Sequence, residues 1–326
     1  MAKYLLMGDI HLSDRPPSSC TERYNDQIFE ILEATVELAR GCDGVIWAGD
    51  IFHHKTPGRT SHQTVRRAIE IAQHYPEQLW IVPGNHDLSN DRLASIDEGQ
   101  PLGVLLASGA AMLLNGWHNI DPVLGVPWLG RFTDEAVTQA LAPMKDRHAR
   151  AAQFGTGING VRFGKTLVVT HAPLYPPGLE LPYEHYPASQ WAAAMGNTGS
   201  VYYGHVHEAH GTYVTDGVTF CNPGAISRGS LHEHNLTRTP SCAIWDSDTG
   251  AFEIFALPAE PADRVFRLAE AEQTKHTQLR LDSFLDAVNA TRIEITSTES
   301  VIAHIRAQGF DPDVERIVIA ILEDVA

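Results

Sequence analysis

The chain has 326 residues, 43% of them hydrophobic and 20% charged, enough for a sizeable core. At about 150 residues per domain it holds two domains or one large one. Its 24 basic residues against 40 acidic ones give a net charge of −16, which argues against an all-over basic binder of nucleic acid or membrane surfaces but leaves room for a local basic patch. The four cysteines form no CxxC pair, and Asp9 comes too early for a signal peptide. The longest apolar stretch, 102–114, is broken by Gly and Ser and falls short of the roughly 17 residues a bilayer needs, so a cytoplasmic protein with no membrane association is expected.

The first half alternates strand and helix. Residues 4–7 form a short apolar run ending in Gly-Asp, and 22–40 carry Tyr24, Ile28, Ile31, Leu32, Thr35 and Leu38 at spacings of three and four, an amphipathic helix. Residues 44–48 read as a second buried strand ending in Gly-Asp, 60–74 as a second helix, and 79–82 as a third strand ending in Pro-Gly-Asn-His-Asp. Strands joined by crossovers of this length imply a parallel sheet with right-handed connections. In the second half, 134–154 is helical, 166–170 is a strand ending in His-Ala-Pro, 200–203 ends in Gly-His-Val-His, and 218–221 ends in Asn-Pro-Gly. Strands 242–245 and 252–255 are expected to pair across Asp-Ser-Asp-Thr-Gly. A Pro-rich joint at 257–263 marks the boundary candidate; beyond it come a helical stretch, a strand at 292–296, a helix at 299–307 and a strand at 317–322, a small βαβ-type module.

Five strand ends concentrate the polar chemistry: Asp9 and His11; Asp50 and His53; Asn85, His86 and Asp87; His171; His205 and His207. Ligands of open α/β sheets bind outside the carboxyl ends of the strands, so these residues should converge. Imidazole, carboxylate and one amide oxygen make a donor set suited to Mn, Fe or Zn. Two such metals about 3.5–4 Å apart can share one carboxylate and stabilise both ends of a phosphoryl displacement.

The series Asp9-Ile10-His11, Gly49-Asp50, Gly84-Asn85-His86-Asp87, His171 and Gly204-His205-Val206-His207 resembles the calcineurin-like metallophosphoesterases, over residues 4 to about 224. Within that superfamily, Gly49-Asp50-Ile51-Phe52-His53 and Asn222-Pro223-Gly224 are similar to the SbcD-type nuclease subunits of DNA double-strand-break repair. The resemblance implies a four-layer α-β-β-α sandwich over residues 1–256, followed by a small cap-like α/β module over 264–326. It implies one metal held by Asp9, His11, Asp50 and His207, and a second held by Asp50, Asn85, His171 and His205, with Asp50 bridging. Manganese is the first choice of metal, ahead of Fe, Zn, Ni and Co. A water between the metals would attack phosphorus as hydroxide, His86 would protonate the leaving oxygen with Asp87 fixing its tautomer, and His53 would contact the scissile phosphate. A homodimer or an ATPase is the protein partner to expect.

Other signals weigh less. Gly155-Thr-Gly-Ile-Asn-Gly160 is a literal GxGxxG, but it follows a helix and precedes a strand, the reverse of a dinucleotide site, and reads as a turn. His232-Glu-His234 reads as a solvated loop. More than half of the acidic excess lies in residues 243–326, which hold 16 acidic and 7 basic residues. Residues 51–69 hold Lys55, Arg59, Arg66 and Arg67 and no acid, a strip suited to a polyphosphate backbone or, equally, a solvated helix face. The leading expectation is a DNA exo- or endonuclease; the alternative is a phosphodiesterase on small substrates such as cyclic nucleotides.

Overall fold

The computed structural model describes residues 2–325 apart from 57, 97–98, 118–121, 155–156, 159–160, 163–164, 180–184, 275–276, 278–281, 283–297 and 310–311. The strands are β1 (Lys3–Met7), β2 (Gly44–Ala48), β3 (Leu79–Val82), β4 (Ala111–Leu113), β5 (Gly116–Trp117), β6 (Val123–Val126), β7 (Gly157–Ile158) and β8 (Val161–Arg162). They continue with β9 (Leu167–His171), β10 (Leu174–Tyr175), β11 (Tyr186–Pro187), β12 (Ser200–Gly204), β13 (Gly211–Thr215), β14 (Val218–Asn222), β15 (Ser241–Asp246) and β16 (Phe252–Ala256). Helices α1 (Arg23–Ala39), α2 (His62–His74), α3 (Pro101–Ala107), α4 (Asp134–Phe154) and α5 (Ala188–Ala194) connect them.

Two six-stranded sheets result, one ordered β16-β15-β1-β2-β3-β4 and the other β13-β14-β12-β9-β6-β5. β1 to β4 run parallel, as the two crossover helices require. In the second sheet β6, β9, β12 and β14 are parallel. The expected C-terminal hairpin is present, with Cys242 opposite Phe255 and Trp245 opposite Phe252.

Because side chains alternate across a strand, each sheet has two apolar faces to cover. Tyr4, Leu6, Ile46, Ala48 and Val82 of the first sheet pack against Val123, Leu167, Val169 and Tyr202 of the second, and this is the inter-sheet core. The opposite face of the second sheet, with Leu124, Val168, Val201 and Tyr203, is covered by Val137, Leu141 and Met144 of α4 and Trp191 of α5. Trp47 of β2 points the other way, edge-on to Tyr75 at 6.2 Å, and the Tyr75 hydroxyl lies 2.7 Å from Thr35 of α1. The architecture is helix, sheet, sheet, helix, and it leaves the carboxyl ends of the parallel strands free for chemistry.

The chain divides into two compact units, Met1–Phe266 and Arg267–Ala326. The Pro-rich joint belongs to the first: Leu257 N donates to Pro240 O at 2.8 Å, Thr21 N to Val265 O at 2.8 Å, and Arg23 ion-pairs with Glu260 at 2.6 Å. In the second unit, Thr298–Gln308 is helical, and so is Pro312–Val325. The strand expected at 317–322 is therefore corrected to helix. An apolar run of six residues has no decisive period of its own, whereas Pro312 at the first helical position and apolar residues at 314, 317–318, 321 and 325 favour helix. The strand expected at 292–296 lies outside the described residues. Gly157–Ile158 pairs antiparallel with Val161–Arg162, so the glycine-rich stretch opens no helix.

Candidate metal centre

The loops leaving β1 and β2 stay paired beyond the sheet. Asp9 N donates to Gly49 O at 3.0 Å, His11 N to Asp50 O at 2.8 Å, Leu12 N to Ile51 O at 2.9 Å and His53 N to Leu12 O at 2.9 Å. Four residues of these strand ends sit in the left-handed region with φ of 53° (Asp9), 53° (His11), 52° (Asp50) and 85° (His205). Non-glycine residues persist there only when the surroundings over-determine them, a signature of functional sites. Gly49 has no side chain for a packing reason as well: a Cβ there would run into the His171 ring.

These turns bring all seven predicted metal ligands together. Asp50 Oδ2 lies 3.6 Å from His11 Nε2 and 3.4 Å from His171 Nε2. On one side, His11 Nε2 is 3.1 Å from His207 Nε2, which is 3.6 Å from Asp9 Oδ1. On the other, Asn85 Oδ1 is 3.2 Å from His171 Nε2 and 3.0 Å from His205 Nδ1. Donors about 2.1 Å from one cation stand roughly 3.0–3.5 Å apart, so both clusters fit a divalent metal, and one carboxylate oxygen lies between them. Asp9, His11 and His207 gather as one potential ligand group and Asp50, His171 and His205 as another. His171 Nδ1 donates to Ala48 O at 2.9 Å, which turns Nε2 toward the cluster.

The electrostatics without metal follow from burial. Burial works against charge on His171, but the Asp50 and Asp9 carboxylates outweigh it and hold its pKa up at about 9. Burial also opposes the Asp50 charge, yet His171 and His11 hold that carboxyl well below the usual range. Burial, reinforced by His171, pushes His205 down to about 3, and burial pushes His11 well below its ordinary value. Burial raises the Asp9 pKa against the pull of His171 and His207. Two neutral imidazoles and an ionised carboxylate between the clusters are ready donors.

The sequence of residues 3–250 matches the calcineurin-like phosphoesterase superfamily domain. The chain belongs to that superfamily. Its donor clusters and its membership together make it a metal-dependent phosphoesterase. Among solved structures it is similar to TT1561 of Thermus thermophilus, at 16% identity and TM-score 0.45 over 78% of this chain and 98% of that one. It is also similar to a dimetal phosphatase from Danio rerio, at 14% identity and TM-score 0.45 over 80% of this chain and 97% of that one. No curated protein matches the sequence.

His53 and His86 of the phosphoesterase join the metal cluster. Their rings stack at 5.3 Å, the His86 ring meets His11 edge-on at 4.8 Å, and His53 Nδ1 is 3.4 Å from His11 Nδ1. His86 N donates to Asp50 Oδ1 at 2.8 Å, leaving Oδ2 for the cations. The tautomer role expected of Asp87 is corrected. His86 Nδ1 donates to the carbonyl oxygen of His53 at 2.8 Å, and that carbonyl fixes the ring. Asp87 is buried and accepts from the amides of Ile51 at 3.1 Å, Phe52 at 3.4 Å and Gly84 at 2.9 Å, tying the β2 and β3 loops together. Burial, with Asp50 nearby, pushes the Asp87 pKa up to about 7. Residues adjacent in a tight turn point different ways, which motif spacing does not reveal.

The basic strip disperses. Lys55 Nζ donates to the carbonyls of Asn85 at 3.2 Å and Leu88 at 2.8 Å, bracing the β3 loop. Arg66 pairs with Glu70 at 2.6 Å; Arg67 pairs with Asp26 at 3.2 Å and lies 4.1 Å over the Phe29 ring. Arg59 is exposed ahead of α2 and is absent from the cleft lining. His232 and His234 stack on each other at 5.8 Å and join none of the potential metal groups among the described residues.

Several site residues had no motif to announce them. Ser227 donates from both N and Oγ to Asp9 O, at 3.2 and 2.9 Å. Arg238 holds the same loop through Ala225 O at 2.6 Å and Ser227 O. Trp128 packs on the His205 ring at 4.9 Å and donates to Asp91 Oδ1 at 3.1 Å. The cleft over the metal cluster, about 470 Å³, extends past His53 and His207 to Arg15, Tyr24 and Ser230.

Proposed function

We propose that the chain is a two-metal phosphodiesterase, with manganese as its working ion, acting on small or short phosphodiesters in the cytoplasm. The observation that carries this reading is Asp50 Oδ2, between donors of both clusters at 3.4 and 3.6 Å. When bound, a pair of divalent cations supplies a water of lowered pKa and neutralises charge on the phosphoryl oxygens.

This chain's residues do the rest. Asp9, His11, Asp50 and His207 would hold one cation, and Asp50, Asn85, His171 and His205 the other. The His53 carbonyl accepts from His86 Nδ1 and so orients the ring; in its imidazolium form the proton on Nε2 is the one that can pass to a leaving oxygen, leaving the neutral ring with its proton on Nδ1. His53, stacked on His86, lies where a phosphoryl oxygen can be contacted. A monoester carries one organic arm and a diester two, and the extension of the cleft toward Arg15 and Ser230 provides for the second.

A DNA nuclease of the SbcD type is the second reading. It is favoured by Gly49-Asp50-Ile51-Phe52-His53, with His53 at the cluster, and by Asn222-Pro223-Gly224. Against it, Arg66 and Arg67 are engaged by Glu70 and Asp26. The deciding experiment crosses a panel of divalent metals with bis(4-nitrophenyl) phosphate, 4-nitrophenyl phosphate, cyclic nucleotides and linear DNA. Diester hydrolysis with two metals per chain supports the reading; hydrolysis of the monoester alone overturns it, and a marked preference for linear DNA moves it to the nuclease branch.

A further inference from the structure

The cleft does not end at the metal donors. Its far wall is Ser13, Arg15, Pro16, Pro17, Tyr24 and the loop Ser227–Ser230. Arg15 is held by its backbone: Ser13 Oγ donates to Arg15 O at 2.9 Å, and two prolines follow it in sequence. The acid next to it is turned away. Asp14 accepts from Ser61 N at 2.5 Å, Ser61 Oγ at 2.7 Å and Thr64 Oγ1 at 2.6 Å, capping the start of α2. Among the described residues, no carboxylate ion-pairs with the Arg15 guanidinium.

Behind this wall two further guanidiniums are tied to neutral oxygens. Arg228 donates to Gln27 Oε1 at 2.9 Å and Glu260 O at 2.6 Å, and Arg238 to Asn235 Oδ1 at 2.9 Å and to the carbonyls of Ala225 and Ser227. Burial lowers the pKa of both, Arg238 to about 10. Lys55, the nearest basic residue of the strip, is occupied by two carbonyls. Arg15 is the one Arg or Lys among the described residues that line the cleft, and its guanidinium still has donors to give. A free, forked guanidinium facing a cleft is suited to a phosphate.

We infer that the Arg15 end of the cleft is a subsite for a second phosphate of the substrate. The preferred substrate is then a short phosphodiester with another phosphate beyond the scissile one. Arg15 sets that specificity, and Arg228 and Arg238 brace the Ser227–Ser230 loop of the same wall. The inference rests on the phosphodiesterase reading above.

The test compares a thymidine dinucleotide with its 5′-phosphorylated and 3′-phosphorylated forms, using the manganese-loaded full chain and its Arg15→Gln and Arg15→Lys variants. Arg15 is exposed, and unchanged melting temperatures check that the variants fold. For the natural chain, one phosphorylated form is expected to exceed the unphosphorylated dinucleotide in kcat/KM by roughly tenfold or more, the size of one charge-assisted hydrogen bond. In Arg15→Gln that ratio falls toward one; Arg15→Lys keeps part of it. Absence of any preference in the natural chain, or a preference undiminished in Arg15→Gln, overturns the subsite. Bis(4-nitrophenyl) phosphate separates the two levels. If it and all dinucleotides resist hydrolysis, the phosphodiesterase reading falls and takes the subsite with it; if they are cleaved without a terminal-phosphate effect, only the subsite falls.

Discussion

Three glycine-to-alanine changes separate backbone strain from steric exclusion around His171. Gly41 has a negative φ and nothing within 4 Å of an added Cβ, so Gly41→Ala should stabilise by about 0.4–1 kcal/mol by restricting the unfolded chain. Gly58 has open space but φ of +79°, so its alanine variant bears the left-handed penalty alone, about 1–2 kcal/mol. Gly49 has φ of +90°, and its Cβ would overlap the His171 ring, whose Nε2 stands 3.4 Å from Asp50 Oδ2. Overpacking of about 1–3 kcal/mol adds to the penalty, for a total of roughly 2–5 kcal/mol. At about 2–4 °C per kcal/mol for a domain of this class, Gly49→Ala should melt roughly 4–20 °C below the natural chain. Calorimetry in chelator measures that term, and metal analysis after reloading measures displacement of His171. If Gly49→Ala melts with Gly58→Ala and binds metal to the natural stoichiometry, the packing of Gly49 against His171 is refuted.

Asp50→Asn keeps an acceptor for His86 N but removes the shared anion, so both metals should be lost together; elemental analysis finding one or two metals per chain would count against bridging. His86→Ala should leave metal content near normal and cut turnover on the order of a hundredfold, less for a nitrophenyl diester than for a nucleotide diester, and equal losses would remove the proton-donor role. Asp87→Ala strands the buried amides of Ile51, Phe52 and Gly84 at about 1–3 kcal/mol each, so stability should drop by several kcal/mol even in chelator, which loss of a mere tautomer anchor would not cause. For Asp14, burial works to raise the pKa, but hydrogen bonds from Thr64 and Ser61 outweigh it and hold it below 3.8. Its stabilising contribution is then present above pH 3.8 and lost as pH falls through the lower, folded-state value, so the gap in denaturant midpoint between the natural chain and Asp14→Ala should close on acidification.

The legible part of this protein is the part written at strand ends. Each apolar run ends where a polar residue begins, and the end-of-strand rule for open sheets converts that one-dimensional fact into convergence of ten polar residues, from which the resemblance to the metallophosphoesterases picks out seven candidate ligands. What stays hidden depends on side-chain direction within turns and on contacts far apart in sequence. Asp87 follows His86 directly yet faces three amides while His86 faces the cleft. Arg66 and Arg67 look like free charge in the sequence because Glu70 lies just past the strip and Asp26 sits on another helix, 41 positions away. Arg238 reaches Asp9 through Ser227, a link that neither spacing nor composition encodes. The misreading at 317–322 is of another kind, since a short apolar run has no period long enough to measure.

The strained backbone shows how the donor loops are tied to one another. Four ligand positions in the left-handed region cost of order 1–3 kcal/mol each, a sum comparable to the stability of a whole domain. Such a cost is met only if each turn is tied on both sides, and each is. Asp9 is fixed by its own amide to Gly49 O and by its carboxylate, which accepts from His205 N at 3.0 Å. His11 and Asp50 are joined by His11 N to Asp50 O, and the Asp50 carboxylate is held by His86 N. The bonds that hold the strained turns are thus bonds between strand ends of both sheets, and the inter-sheet core that buries Leu6, Ala48 and Val169 keeps those ends in register. Relaxing any one turn would break a hydrogen bond to another ligand-bearing loop, so the donors hold their spacing as a unit.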